Sequence, residues 1–135
     1  TLSYTLPTPT SSTGEIVYFG FDLGLTAGLI YYLDSSGIWT ETNATTSSTS
    51  KNLLGIALGT SVTDGILIRG YATYSVGNYS SVSTGEILYL STTNGFFQNT
   101  PPTTSLEVVR IIGYCIDSTN TTIYFNPDNT WIEIL

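Results

Sequence analysis

The stretch EVVRIIGYCIDSTNTTIYFNPDNTWIEIL at residues 107–135 decides the fold class. Its apolar runs are short and rich in Val, Ile, Tyr and Phe, the residues that favour extended strands. The polar turns DSTN at 117–120 and PDN at 127–129 separate these runs. Asp and Asn side chains bond to their own backbone in such turns, so the stretch predicts consecutive antiparallel strands.

The same alternation of apolar runs and turns begins at Gly14 and continues along the chain. The tightest turns are DSSG at 34–37 and TNG at 93–95, where Asp, Asn and Gly favour two hairpins. The predicted fold is all-β: a compact antiparallel β-barrel or sandwich of about ten short strands with an extended N-terminal arm. We predict strands at 15–19, 29–33, 37–41, 53–58, 65–74, 87–90, 95–98, 108–117, 121–126 and 130–134.

The length of 135 residues is typical of one domain. Residues 1–13 (TLSYTLPTPTSST) predict an arm or linker, because Pro7 and Pro9 prevent a helix. Residues 14–135 then form a single β domain. Within it, the hydroxyl-rich segment 41–52 (ETNATTSSTSKN) predicts an exposed loop.

Two sequence motifs occur twice in the chain. GEIVYF at residue 14 resembles GEILYL at residue 85, and IYYLDSSGIWTE from residue 30 resembles IYFNPDNTWIEI from residue 123. These copies lie 71 and 93 residues apart, which excludes a strict solenoid repeat. We expect two related halves in one barrel or sandwich, each with a Gly-Glu strand and a Tyr-to-Trp hairpin.

Charge excludes several classes of partner. Charged residues make up only 10% of the chain against about 25% in typical domains, and the net charge is -7. With only Lys51, Arg69 and Arg110 as cations, there is no basic patch for nucleic acid. No run of 18 apolar residues is present to cross a bilayer, and the acidity opposes anionic lipid. We expect neither nucleic-acid binding nor membrane insertion.

The chain lacks the residues on which most catalytic sites depend. It has no histidine and one cysteine, which excludes Ser-His-Asp and Cys-His arrangements and most transition-metal sites. We expect no enzymatic activity, no metal and no cofactor, and a buried free thiol at Cys115. A pair of carboxylates that hydrolyses glycosides is the enzymatic alternative, since two carboxyl groups suffice for that chemistry.

Two groups of residues are candidates for binding. Tyr71, Tyr74 and Tyr79 lie in GYATYSVGNYSSVSTG at 70–85, a mixture typical of adaptable binding loops, and predict contact with a glycan or a protein. The alternative is an ordinary exposed strand and turn. Arg69 and Arg110 lie in apolar strands and should bind carboxylates or carbonyls at a subunit interface, or else lie on an exposed edge. Low charge and a positive mean hydropathy favour a homo-oligomer.

Several ordered blocks resemble a known family. GEILYLSTTNGFFQNTPP at 85–102 and the stretch 107–135 resemble the carboxyl-terminal module of bacteriophage virion proteins of the fibre and head-fibre kind. LLGIALGTSVTDGILIRGYA at 53–72 resembles an earlier strand pair of that module. The segments 45–51 and 74–83 depart from the family pattern.

The resemblance implies a phage virion structural protein. Such a fibre or capsid-decoration component lies on the virion surface and contacts other virion proteins. The fibre-like family also implies a homotrimer, and a host-surface glycan is a further partner that this class would contact. A secreted carbohydrate-binding or adhesin domain is the alternative function.

Overall fold

The computed structural model describes residues 13–74 and 82–135. Most of the predicted arm and Tyr79 lie outside the described residues. Within the described ranges the chain forms eleven strands and two short 3₁₀ turns (Ser47–Thr49 and Val62–Asp64), with no α-helix, so the all-β prediction is confirmed. The strands are β1 (Thr13–Val17), β2 (Ile30–Leu33), β3 (Trp39–Glu41), β4 (Leu54–Ala57), β5 (Ile66–Thr73), β6 (Ile87–Leu90), β7 (Phe97–Gln98), β8 (Val108–Val109), β9 (Ile111–Asp117), β10 (Thr122–Phe125) and β11 (Ile132–Glu133).

Nine strands form one antiparallel sheet. Its hydrogen-bonded order is β3-β2-β4-β5-β10-β9-β6-β7, with β1 also paired to β5. The sheet curls into a half-barrel, which confirms the predicted barrel-like antiparallel architecture. The remaining strands, β8 and β11, pair with each other.

Strand β5 connects the two parts of this sheet, because it pairs with β1, β4 and β10. β1 pairs with β5 along 66–71 and therefore occupies one of its edges. β4 pairs at 66–67 and β10 at 70–73, so these two strands follow each other along the opposite edge. The β1 ladder shifts register between Glu15 and Ile16, opposite Ile68, which is a β-bulge. Since a bulge bends its strand, it marks the point where the two wings of the sheet separate.

The two wings share one five-strand topology. The first has the order β3-β2-β4-β5-β1 and the second β7-β6-β9-β10-β5, with β5 shared between them. Equivalent backbone bonds support the match: Gly28 N–H donates to the Ala57 carbonyl at 2.8 Å, and Gly85 N–H donates to the Cys115 carbonyl at 2.7 Å. Equivalent residues are thus 57 to 58 positions apart.

The structure therefore keeps the two related halves but aligns different segments from those expected. GEILYL at 85–90 corresponds to GLIYYL at 28–33, because both begin the hairpin of their unit. GEIVYF at 14–19 instead provides β1, which pairs with the last strand of the first unit. The two copies of the Gly-Glu motif thus occupy different positions in the sheet, one in β1 and the other just before β6.

The predicted strand 108–117 is interrupted. It divides into β8 and β9 at Arg110, whose side chain is 5% exposed. Arg110 itself lies outside both ladders, and its carbonyl accepts from the Leu90 N–H. The strand count therefore rises from the predicted ten to eleven.

The core lies mainly between the wings. Its larger cluster includes Phe125, Leu67, Ile112 and the free thiol of Cys115, which is fully buried as expected. A smaller cluster packs on the other face of the first unit around Trp39. Burial of such side chains supplies most of the stabilising free energy.

The predicted exposed loop 41–52 is partly buried, so that prediction was wrong for several residues. Thr42, Ala44 and Ser50 are fully buried. Ala44 N–H donates to the Ser91 carbonyl and Gly95 N–H to the Thr42 carbonyl, so the segment joins the two units. Short hydroxyl side chains fit there because each finds a backbone acceptor, as Ser50 does at Thr46. None of the described residues forms a helix with the length and apolar character needed to cross a membrane.

Candidate functional site

All three cations of the chain line one hollow of about 210 Å³, which we call the cation hollow. Arg69 comes from β5, Lys51 precedes β4, and Arg110 lies between β8 and β9. The hollow opens beside β5, at the point where β4 ends its pairing and β10 begins. The amide side chains of Asn52 and Asn129 complete its polar wall.

Arg110 is buried and holds three segments together. Its Nη1 donates to the Ser50 and Asn52 carbonyls at 2.6 and 2.8 Å, and its Nε donates to the Asp128 carbonyl at 2.9 Å. Its Nη2 donates to no residue in the described part of the chain. Burial lowers the pKa of Arg110 below its usual value, and the nearby charge of Asp128 acts against that shift.

Arg69 and Lys51 are exposed. Neither side chain has a hydrogen bond or ion pair with any residue that the structure describes. Glu15 lies opposite Arg69 in the β1–β5 ladder and contributes negative charge nearby. Arg110 thus has its carbonyl partners inside its own chain. An interface role for Arg69 and Arg110 stays a prediction.

A second hollow of about 360 Å³ adjoins the first, and we call it the adjoining hollow. The two share Arg69, Pro127 and Asn129. The adjoining hollow extends from there to Tyr114 and the Asp128 region. Together the hollows form a polar depression that leads from the cations to the exposed face of the second unit.

Three tyrosines form a row across that face, which we call the tyrosine row. Tyr124 on β10 pairs in register with Tyr71 on β5 and with Tyr114 on β9. Directly opposed residues of neighbouring strands point to the same face of a sheet. Tyr71 and Tyr114 are 38% and 44% exposed, and the ring centroids of Tyr71 and Tyr124 lie 5.4 Å apart. Ile87 of β6 extends the row beside Tyr114.

The three tyrosines singled out from the sequence do not form one group. Tyr71 belongs to the tyrosine row, whereas Tyr74 is partly buried on the core side and packs edge-on against Phe97 at 5.5 Å. Burial, with the Cys115 thiol nearby, raises the pKa of Tyr74 to about 12. Tyr79 lies outside the described residues.

Sequence reasoning missed Tyr114 and Tyr124. Both lie in apolar strands, where the simplest interpretation is core filling. The usable signal was the Gly-Tyr pair at 113–114, which repeats the Gly-Tyr pair at 70–71 on another strand. Only the strand register brings the three rings into one row.

The first unit carries an exposed apolar stretch between β1 and β2, which we call the apolar segment. It comprises residues 18–23 (YFGFDL), whose four large apolar side chains are between 50% and 88% exposed. It follows β1 and lies beside β3 through a bridge between Phe21 and Ile38. Four such side chains in six residues exceed the scattered exposure that is normal on a surface.

Several contacts fix the backbone of this segment. The indole N–H of Trp39 donates to the Phe19 carbonyl at 2.9 Å, and the Trp39 backbone N–H donates to the Phe21 carbonyl. Asp22 accepts from the Val62 N–H at 2.9 Å, and this bond is the main reason why the Asp22 pKa lies below its usual value. The segment is therefore exposed but held in place.

Several carboxylates of the described residues, among them Asp34, Asp64 and Asp117, accept hydrogen bonds from backbone N–H groups in turns. Asp34 accepts from the Ser36 and Ile38 N–H groups, which confirms the predicted DSSG turn and lowers the Asp34 pKa, with the Ile38 bond as the largest cause. Across the described ranges, no three Asp, Glu, Cys or His side chains gather as a metal site would require. No family model, curated protein or solved structure matches the chain.

Proposed function

We propose that the chain is a non-enzymatic phage virion structural protein, a fibre or capsid-decoration module that self-associates on the particle surface. The apolar segment is the observation that carries this proposal. It exposes four large apolar side chains within six consecutive residues of a chain that has few charged residues. Such a surface is typical of a protein–protein contact.

The fixed backbone of the apolar segment favours association. A segment already held by Trp39 and Asp22 loses little conformational freedom when a partner covers it. The segment also follows β1, the first strand after the predicted arm, so attachment and self-association would involve neighbouring parts of the chain. The proposed partner is a second copy of the chain, and the trimer follows from the fibre-like resemblance alone.

Light scattering on the purified chain tests self-association. We expect the wild-type chain to be an oligomer at micromolar concentration and Leu23→Glu to dissociate it, because a charge on the contact would be costly to bury. Leu106→Glu is the matched control, since Leu106 is also an exposed leucine but lies outside the apolar segment. A folded wild-type monomer would contradict the proposal.

The virion location needs a separate experiment. We expect antibody raised against the chain to label particles of the source in negative-stain images. Chain that is found only free in the culture fluid, as a monomer, would contradict a virion role.

The tyrosine row favours the alternative function, a secreted carbohydrate-binding or adhesin domain. Exposed aromatic rings present an apolar face and a polar hydroxyl, which suits sugar contact. A chain that binds glycans but neither self-associates nor labels particles would support this alternative.

A further inference from the structure

We propose that the cation hollow, the adjoining hollow and the tyrosine row form one binding site for an acidic carbohydrate. The anionic group of the ligand binds at the cation hollow, and its sugar rings lie along the tyrosine row. This inference goes beyond the assembly role, because it concerns a different surface and a ligand that an isolated chain can bind.

The distribution of charge supports an anionic group at the cation hollow. The chain carries a net charge of -7, yet all of its cations line this one hollow. Asp128 and Glu15 reduce the local positive charge without cancelling it. Charge-assisted hydrogen bonds from guanidinium groups are the strong way to hold a carboxylate, sulfate or phosphate.

The buried guanidinium gives a second, independent indication. Arg110 is 95% buried, and three of its five N–H donors bind carbonyls of the chain itself. The two N–H donors of Nη2 have no partner among the described residues, although Arg110 lines the hollow. Buried donors normally have acceptors, and an oxyanion in the hollow would supply one.

The tyrosine row supports the carbohydrate part of the ligand. Tyr71, Tyr124 and Tyr114 span two strand spacings, a length of about 10 Å. Their rings offer apolar faces to the C–H groups of sugars, and their hydroxyls offer hydrogen bonds. The adjoining hollow connects this row to Arg69, and Asn126 and Asn129 add amide groups that suit sugar hydroxyls.

The same charges argue against a nucleic acid in this site. A nucleic-acid strand needs several cations along its backbone, whereas this chain has only three and repels a polyanion through its net charge. A carbohydrate with isolated anionic groups needs only one such contact. The site therefore fits an acidic sugar better than a continuous polyphosphate.

Calorimetric titration of the purified chain tests the inference. The acidic probes are three derivatives of maltotetraose, each of which carries a single carboxylate, sulfate or phosphate group at one C6 position. Unmodified maltotetraose is the neutral probe of equal length, and inorganic phosphate is the anion alone. We expect at least one acidic probe to bind roughly tenfold more tightly than maltotetraose and than inorganic phosphate. Its affinity should fall as salt rises.

Exposed positions provide variants that should fold normally. Arg69→Ser should weaken the acidic probe about tenfold, the effect of one lost charge-assisted bond. Thr63→Asp is the matched control, because it changes the net charge by the same amount as Arg69→Ser. Thr63 lies in the turn after β4, whereas the cation hollow includes Leu54 at the start of that strand. Asp128→Asn should strengthen binding, since it removes negative charge and keeps the oxygen that accepts from the Thr130 N–H.

The aromatic contact has its own matched pair. Tyr114→Ser should weaken the acidic probe, whereas Leu106→Ser, which also removes an exposed large apolar side chain but lies outside the tyrosine row, both hollows and the apolar segment, should leave affinity unchanged. Three results would each overturn the inference: no binding of any acidic probe, equal affinity for maltotetraose, or equal effects of Arg69→Ser and Thr63→Asp. Because the two hollows and the tyrosine row include no residue of the apolar segment, the result does not depend on self-association or on a virion location.

Discussion

Gly14 and Gly70 lie directly opposite each other in the β1–β5 ladder, and each occupies the space that a side chain on the other would need. A Cβ on Gly14 would stand 2.7 Å from the Gly70 Cα, and a Cβ on Gly70 would stand 2.7 Å from the Gly14 Cα. Their φ angles are +145° and +141°, which favour glycine. This contact lets β1 approach β5 beside the bulge.

Gly70→Ala should therefore destabilise the protein by about 3 kcal/mol, because it adds both backbone strain and a backbone clash. Gly24→Ala is the matched control: its φ of +100° is also unfavourable for alanine, but open space surrounds its Cβ position. We expect the control to cost only about 1 kcal/mol. Urea denaturation measures both, and equal losses would show that the close approach contributes nothing.

Arg110→Met should lower the free energy of unfolding by about 3 kcal/mol or more. The substitution removes three bonds from a charged donor and leaves the carbonyls of Ser50, Asn52 and Asp128 without it. Arg69→Met provides the comparison, because Arg69 is exposed and has no such bonds within the described chain. Chemical denaturation of both variants would reject the anchoring role if their losses were similar.

Much of the fold could be predicted from local sequence signals. Short β-branched runs, separated by turns with Asp, Asn or Gly, predicted the positions of the strands that the structure describes. The exception is the interruption at Arg110, which divides one predicted strand into β8 and β9. That interruption could not be predicted, because the carbonyls that hold the side chain lie 58 to 60 residues away at Asn52 and Ser50 and 18 residues away at Asp128. A local pattern contains no information about such distant acceptors.

The candidate sites were less predictable than the strands. Tyr71 was identified from its Ser/Gly-rich surroundings, but its partners depend on the register of β10 between β5 and β9. Strand alternation also separates Tyr71 from Tyr74, which points to the core side of the same strand end. All three cations line one hollow because β4 and β10 pair with successive parts of β5. The sequence of a single segment does not reveal this pairing.

Tyr74 should make stability depend on pH in the alkaline range. Its pKa rises from about 10 to about 12 on folding, mainly through burial, so the folded state retains the proton more strongly than the unfolded state. This contribution is complete below about pH 10 and is lost as pH rises toward 12. Urea denaturation across this range should show a shallower decline for Tyr74→Phe than for wild type. An identical decline would contradict the role of Tyr74, and Tyr18→Phe at an exposed position is the control.

Asp22 should control how firmly the apolar segment is held. One carboxylate oxygen accepts from the Val62 N–H at 2.9 Å and the other from the Gly24 N–H at 3.0 Å, and these bonds favour the ionised form. The pKa of Asp22 is therefore lowered from its ordinary value of 3.8. The contribution to stability is present above that value and is lost as pH falls through the lower folded pKa.

Asp22→Ala should accelerate hydrogen exchange of the Val62 amide roughly tenfold at neutral pH, because that amide loses its charged acceptor. The difference from wild type should shrink as pH falls below the folded pKa of Asp22, since the wild-type carboxylate is then protonated. Asp34→Ala is the control: it removes a carboxylate that accepts from Ser36 and Ile38, so those amides should exchange faster while Val62 does not. An unchanged exchange rate of the Val62 amide in Asp22→Ala would contradict this role of Asp22. Other contacts would then hold the apolar segment in the geometry that its proposed self-association requires.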